Sequence, residues 1–335
     1  MDILTRLYAD AKQWPHRITS LAVGTMVGSL GLISCDRPPG NTPTQGGTDR
    51  PDVVATSTII ADLTERIGGD AIDLTGILDP GADPHVYEPV PQDTIAFEEA
   101  DLILYNGYNL EPGLIRIMNA AGINAETLAV GEVVPPLTLE YEGQTEPDPH
   151  VWGDVENAIA MTEAIRDALV AIAPDDAADI TQNAEQLTAE LTRLDGWIAD
   201  QVATIPADQR QLVTTHDAFE YYAQAYGLEV AGTLIGISTE EQPSAQTVQQ
   251  LVESVRSLGV PTIFAETTIN PRLINTVAEE AGVTLAPQEL FSDSIGTPGG
   301  VGDSYINMMV ANTEAVVSGL GGEVVPFTAN PAAAQ

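Results

Sequence analysis

The 335-residue chain predicts an α/β protein of two lobes, each a parallel sheet covered by helices, joined by one long α-helix. Three observations carry this. Past residue 51, short apolar runs alternate with amphipathic ones, the strand-then-helix pattern that builds a parallel sheet under helices. That alternation runs twice, over 52–175 and again over 204–335. Between the two sets, residues 176–203 place Ile180, Ala184, Leu187, Leu191, Leu194, Ile198 and Val202 at helical spacing, with no proline to interrupt them. A helix of about 27 residues is about 40 Å long, enough to reach across two lobes, and Gly196 is its one weak position. The length is too great for one small core. A composition 44% hydrophobic and 18% charged excludes a chain disordered by composition.

The elements follow in order. Residues 1–34 read as an export signal: Arg6, Lys12 and Arg17 form a positive start, and residues 18–34 carry no charge. Gly24, Gly28 and Gly31 and the short length make that stretch a poor membrane-spanning helix. It ends Leu32-Ile33-Ser34-Cys35, which resembles the bacterial lipobox, where the chain is cut before a cysteine whose thiol is acylated. Cys35, the single cysteine, falls at the position such a signal needs. Residues 35–51 are rich in Pro, Gly and Thr without apolar period and read as a flexible tether. In the first set, strands are predicted over 53–58, 73–78, 101–106 and 127–130, with a helix over 59–67 stopped by Gly68-Gly69. In the second, strands are predicted over 211–215, 229–234, 261–266 and 283–287. Helices are predicted there over 218–226, 246–258, 271–281 and 304–320.

Twelve Lys and Arg against 49 Asp and Glu leave a formal charge of −37, which excludes a nucleic-acid binder working by phosphate neutralisation. Without the signal, nine arginines face 47 carboxylates, a formal charge of −38 that suits solubility at high salt. Lys12 is the only lysine. Beyond residue 35 this excludes a P-loop lysine, a Schiff-base lysine, a disulfide and a cysteine-rich metal cluster.

Four histidines exist, and His16 belongs to the signal. His85 and His150 both sit in the tetrapeptide Asp-Pro-His-Val, at 83–86 and 148–151, where proline stiffens the presenting loop. His216 ends the apolar strand at 211–215, and strand ends in parallel sheets are where ligands bind. Three imidazoles suit zinc, copper or nickel, whereas calcium and magnesium prefer oxygen. Without a thiolate the fourth ligand must be Asp or Glu, and Asp293 lies just past the last predicted strand.

With these residues in view the chain resembles the periplasmic solute-binding proteins of zinc and manganese ABC transporters (cluster A-I, zinc-type), from about residue 52 onward. The resemblance rests on Val54-Ala55-Thr56-Ser57, Asp83-Pro84-His85, Asp148-Pro149-His150-Val151-Trp152 and Thr215-His216-Asp217-Ala218-Phe219-Glu220-Tyr221 with Tyr226-Gly227-Leu228. It continues through Pro243-Ser244, Phe264-Ala265-Glu266 and Phe291-Ser292-Asp293-Ser294. It implies two lobes joined by a long rigid helix, with a metal held between them by His85 and His150 from one lobe and His216 and Asp293 from the other. It also implies zinc, because manganese-type members carry glutamate where this chain has His216. The chain departs from many zinc-type relatives in having Glu140, Glu142 and Glu146 but no histidine over 135–147, and it lacks the cysteine pair of some.

The expected function is therefore that of a monomeric, lipid-anchored extracytoplasmic protein that captures Zn2+, with Mn2+ or iron as the alternative, for an ABC permease. No catalysis is expected. The rival readings are a zinc hydrolase using Glu266 or Asp293 as general base, and a surface attachment protein. Glu266 reads either as an acceptor orienting a ligand histidine or as a capping carboxylate. Asp83 and Asp148 read as turn-fixing, and Tyr105, Tyr108, Trp152 and Tyr221 as packing residues. The glycines at 296, 299, 300 and 302 read as a loop rather than a phosphate cradle. Imidazoles with ordinary pKa values near ~6.5 imply metal release as pH falls below about 6.

Overall fold

The structure, a computed structural model, describes residues 50–120, 123–141 and 144–328; the signal, Cys35 and the tether up to residue 49 lie outside them. The first lobe begins with β1 (Asp52–Ala55) and α1 (Thr58–Gly68). Ser57 separates them, because its hydroxyl accepts the Ile60 N–H and so caps the helix three residues earlier than the apolar run alone would end the strand. Then follow β2 (Asp73–Gly76), α2 (Pro91–Glu99), β3 (Leu102–Tyr105), α3 (Pro112–Ala120) and β4 (Glu126–Ala129). All four strands are parallel, in the order β2-β1-β3-β4. Successive side chains of β1 serve two cores. Val54 packs with Phe97, Ile103 and Leu114 under α2 and α3, while Val53 and Ala55 join the large core on the other face.

A hairpin of β5 (Thr138–Tyr141) and β6 (Gln144–Pro147) follows, in a stretch where the sequence analysis predicts no strand. Its first strand, Thr138-Leu139-Glu140-Tyr141, alternates polar and apolar residues, but its second, Gln144-Thr145-Glu146-Pro147, does not, so only half of the pair carries a strand pattern. After it come α4 (Val155–Ile172), capped by Asp154 on the Glu156 N–H, and α5 (Ala177–Ala203), the 27-residue helix. All seven apolar residues that predict α5 are buried. Gly196 faces open space, with no atom within 4 Å of where a Cβ would stand. Gly196→Ala is therefore expected to stabilise the protein by about 0.5–1 kcal/mol in urea unfolding. An unchanged or lower midpoint would mean that the helix relies on something at that position other than its propensity.

The second lobe holds β7 (Gln211–Thr214), α6 (Glu220–Tyr226), β8 (Glu229–Thr233), α7 (Ala245–Leu258), β9 (Thr262–Ile263), α8 (Arg272–Ala281), β10 (Thr284–Leu285) and α9 (Tyr305–Gly319). β7 pairs in parallel with β8 and β9 with β10, and the Phe264 N–H donates to the Val213 carbonyl to join the two pairs. The order β8-β7-β9-β10 repeats that of the first lobe. β9 and β10 are shorter than predicted: beyond them regular pairing gives way to single hydrogen bonds and an isolated parallel bridge between Glu266 and Leu290.

Each sheet has its own outer core, under α2 and α3 in one lobe and under α7 and α8 in the other. The inner faces share one core that contains Ile59, Leu63, Ile165, Leu187, Leu194, Tyr222 and Tyr305, drawn from α1, α4, α5, α6 and α9. Because the linking helix lies inside this common core, bending it would cost buried apolar area on both sides.

Candidate metal centre

In a doubly wound sheet the first and third strands part at their carboxyl ends, leaving a crevice. Each lobe of this chain bridges that crevice with a buried glutamate. In the second lobe, Glu266 follows β9, and its Oε1 accepts the N–H groups of Thr215 and His216 past the end of β7, each at 2.8 Å. Its Oε2 accepts from His216 Nδ1. In the first lobe, Glu111 Oε1 accepts the Thr56 hydroxyl at 2.8 Å and the Asn106 N–H at 2.7 Å, and burial pushes its pKa up to about 7. Asn106 in turn donates from Nδ2 to the Pro149 carbonyl at 2.9 Å and so ties the loop that presents His150 to the end of β3.

The two Asp-Pro-His-Val loops share one turn. Asp83 accepts the His85 N–H at 2.9 Å, and Asp148 accepts the His150 N–H at 3.0 Å. Asp148 Oδ1 also accepts from His150 Nδ1 at 2.7 Å, a role the sequence analysis misses; the only signal for it is the two-residue spacing of the acid before the histidine. Hydrogen bonding at Nδ1 leaves Nε2 of His150 and of His216 facing the cleft.

The structure brings together the four residues singled out from sequence. One donor atom from each of His85, His150, His216 and Asp293 lies within 4.8 Å of the others. Their exposures are 3%, 0%, 0% and 1%. His150 Nε2 is 3.2 Å from His85 Nε2 and 3.3 Å from Asp293 Oδ1, while His216 Nε2 is 3.3 Å from Asp293 Oδ2. Despite these approaches, His216 Nε2 and Asp293 Oδ1 make no hydrogen bond. Four buried donor atoms thus lie close together around one point, an arrangement suited to a metal ion.

Burial opposes charge on all four groups, and the carboxylates decide which imidazoles resist it. At His150, burial is outweighed by Asp148 and Asp293, and the pKa rises to about 9. His216 is raised well above its ordinary value against burial by Glu266 and Asp293. His85 has no carboxylate on its ring, and burial lowers its pKa to about 3. Asp293 is held well below the usual carboxylate range, against burial, by His216 and His150.

Other residues singled out from sequence have specific contacts. Trp152 donates from Nε1 to the Ser292 carbonyl at 3.0 Å, and Tyr221 donates its hydroxyl to the Asp148 carbonyl at 3.0 Å while accepting the Leu137 N–H. Tyr108 donates to the Val134 carbonyl, and Tyr105 lies on β3. The glycine-rich loop spends its amides internally: Gly296 N–H on Gly302, Gly299 N–H on Asp303 and Gly300 N–H on Thr297, which leaves no phosphate cradle there. Glu266 is fully engaged and is in no position to act as a general base.

Two lobes enclosing a buried cluster of three imidazoles and a carboxylate define a solute-binding protein rather than an enzyme. Over residues 53–319 the sequence matches the family described as "Zinc-uptake complex component A periplasmic", and the chain belongs to that family. It is 37% identical over 269 residues to the manganese-binding lipoprotein MntA of Halalkalibacterium halodurans, covering 80% of this chain and 88% of MntA. It is 38% identical over 275 residues to the manganese ABC transporter substrate-binding lipoprotein PsaA of Streptococcus mitis, with the same coverage. Among solved structures, the periplasmic zinc binding protein TroA from Treponema pallidum superposes with a TM-score of 0.77 at 33% identity, over 81% of this chain and 99% of TroA.

Proposed function

We propose that residues 52–175 and 204–335 form two binding lobes that capture one divalent transition-metal ion as cargo through His85, His150, His216 and Asp293 and deliver it to an ABC permease. The observation that carries this reading is the convergence of four buried donor atoms, two of them without hydrogen-bond partners. Glu266 and Asp148 orient His216 and His150 toward the ion. Capture replaces the ion's water with four protein ligands, and the carboxylates Asp148, Asp217, Glu266 and Asp293 around the site compensate its charge. Asp217, whose pKa burial and neighbouring Asp148 raise to about 6, adds to that negative field when ionised. Cys35 carries a lipid that holds the monomeric protein at the outer face of a membrane, a reading supported by the lipoprotein names of the relatives. Among the described residues, no helix is long and apolar enough to cross a membrane.

Zinc is the preferred cargo on the chemistry of the donor set, since three neutral nitrogens and one carboxylate bind it more tightly than manganese. Manganese is the second reading, favoured by the names of the relatives at 37–38% identity. The test is to strip the protein of metal, offer equimolar Zn2+ and Mn2+, and weigh the complex by native mass spectrometry. One zinc per chain, kept against excess manganese, supports the first reading. Retained manganese supports the second, and an ion-free chain defeats capture altogether.

A further inference from the structure

The two Asp-Pro-His-Val loops use their aspartates differently. Asp148 spends its side chain on its own histidine, at the backbone N–H and at ring Nδ1. Asp83 accepts only the backbone N–H of His85, and its second oxygen reaches across the cleft to accept the Thr239 hydroxyl at 2.6 Å. Thr239 belongs to the segment between β8 and α7 in the second lobe. His85 is therefore the ligand whose ring no carboxylate steadies, and its loop is fastened to the opposite lobe instead.

Cavities lie on both sides of this fastening. One of 350 Å3 is lined by Asp83 and Thr239 together with Thr215, Ile235 and Arg272. The other, of 290 Å3, is lined by His85 and Ser238 together with Tyr108, Glu146 and Glu241. Asp83 and Thr239 line the first, and their near neighbours in sequence, His85 and Ser238, line the second. The Asp83–Thr239 bond thus lies on the wall of the first cavity, next in sequence to residues lining the second, and Glu241 lines both. The same loop is also tied across the cleft by the Gly81 N–H, which donates to Ser294 Oγ at 2.7 Å; elsewhere the Thr58 and Ser294 hydroxyls hydrogen-bond, Trp152 Nε1 donates to the Ser292 carbonyl and the Tyr221 hydroxyl to the Asp148 carbonyl.

We propose that the hydrogen bond from Thr239 to Asp83 is the latch that retains the captured ion, with both residues acting as positioning residues on His85. While it holds, His85 is pinned against the cluster. When it breaks, the loop keeps its Gly81 tie to Ser294, but the span next to His85 is freed from the second lobe and the least restrained ligand leaves first. Ion loss through a minor unlatched state is then set by the population of that state, which the hydrogen bond to a carboxylate suppresses. This inference rests on the capture reading above.

The test compares Thr239→Val, which keeps shape and removes the hydroxyl, with Thr239→Ser, which keeps the hydroxyl. Purified proteins are loaded with Zn2+, and separately with Mn2+, and ion loss into excess chelator is followed by stopped flow. Loss from Thr239→Val is expected to be about tenfold faster than from wild type, with Thr239→Ser within about twofold of wild type and the metal-free melting temperatures of all three alike. A Thr239→Val rate within twofold of wild type overturns the latch while leaving capture intact. Equal acceleration in both variants also overturns it, since the hydroxyl would not be the cause. A wild-type protein that takes up neither ion overturns capture and the latch with it.

Discussion

Replacing His216 with alanine is expected to weaken zinc binding by at least about a hundredfold. A four-ligand zinc site is worth about 10–16 kcal/mol in total, so one ligand accounts for roughly 3 kcal/mol, and each 1.4 kcal/mol is tenfold. Fold is not the casualty, because Glu266 keeps the N–H groups of Thr215 and His216, which belong to the backbone. Circular dichroism and the metal-free melting temperature check this directly. Glu266→Gln provides the graded companion: it preserves shape and removes the charge that orients His216 Nδ1, and a loss of about 10–100-fold is expected. Competition against a chelator of known affinity measures both. Tight binding retained by His216→Ala would take that residue out of the site.

Metal affinity is expected to rise steeply with pH over a window higher than ordinary imidazoles allow. A metal takes the Nε2 lone pair, so any proton there must leave. In the metal-free protein, burial disfavours the charged form of His150, yet Asp148 and Asp293 hold its proton up to about pH 9, and His216 is shifted in the same direction. Binding near neutral pH therefore releases protons, and each proton released changes the dissociation constant by about tenfold per pH unit. Between pH 6 and pH 8 the affinity should increase by about a hundredfold or more. Calorimetry in buffers of different ionisation enthalpy counts the protons. The expectation of release below about pH 6, which treats the imidazoles as unperturbed, is corrected upward by these carboxylates. The sign for stability follows from the same shift. A folded pKa above the unfolded value stabilises the metal-free protein fully below about pH 6.5, and that contribution disappears as pH rises through about 9. A dissociation constant independent of pH would contradict protonated His150 and His216.

Much of the fold is legible along the chain because it rests on local periodicity. The seven apolar residues of α5 recur every three or four positions, and each is buried. The central strands β1 and β3 are short apolar runs buried on both faces, whereas the outer β2 and β4 are half-buried or exposed. Elements without such periodicity are not legible. The short hairpin β5–β6 is set by backbone pairing between two four-residue strands, whereas α4, which packs against α1 and α5, does carry helical spacing in its buried Val155, Ala158, Met161, Ile165 and Leu169. Strand ends are misjudged where apolar sequence continues past the regular ladder, as after β9, where pairing persists only as single hydrogen bonds and one bridge.

The sequence by itself determined the residue types that meet at the centre. With three histidines and no cysteine past the tether, few combinations could form a nitrogen-rich site, and stiff Asp-Pro-His loops narrowed the choice further. Only the tertiary structure decided how those residues are held and charged. Glu266 and His216 are 50 residues apart, Asn106 and Pro149 are 43 apart, and Asp83 and Thr239 are 156 apart. No spacing rule reaches such distances: the first two contacts exist only once the strands of one lobe are paired side by side, and the third only once the two lobes face each other. The divergence of the twin aspartates has the same origin: identical tetrapeptides make identical turns, but what the second carboxylate oxygen meets depends on which lobe lies opposite.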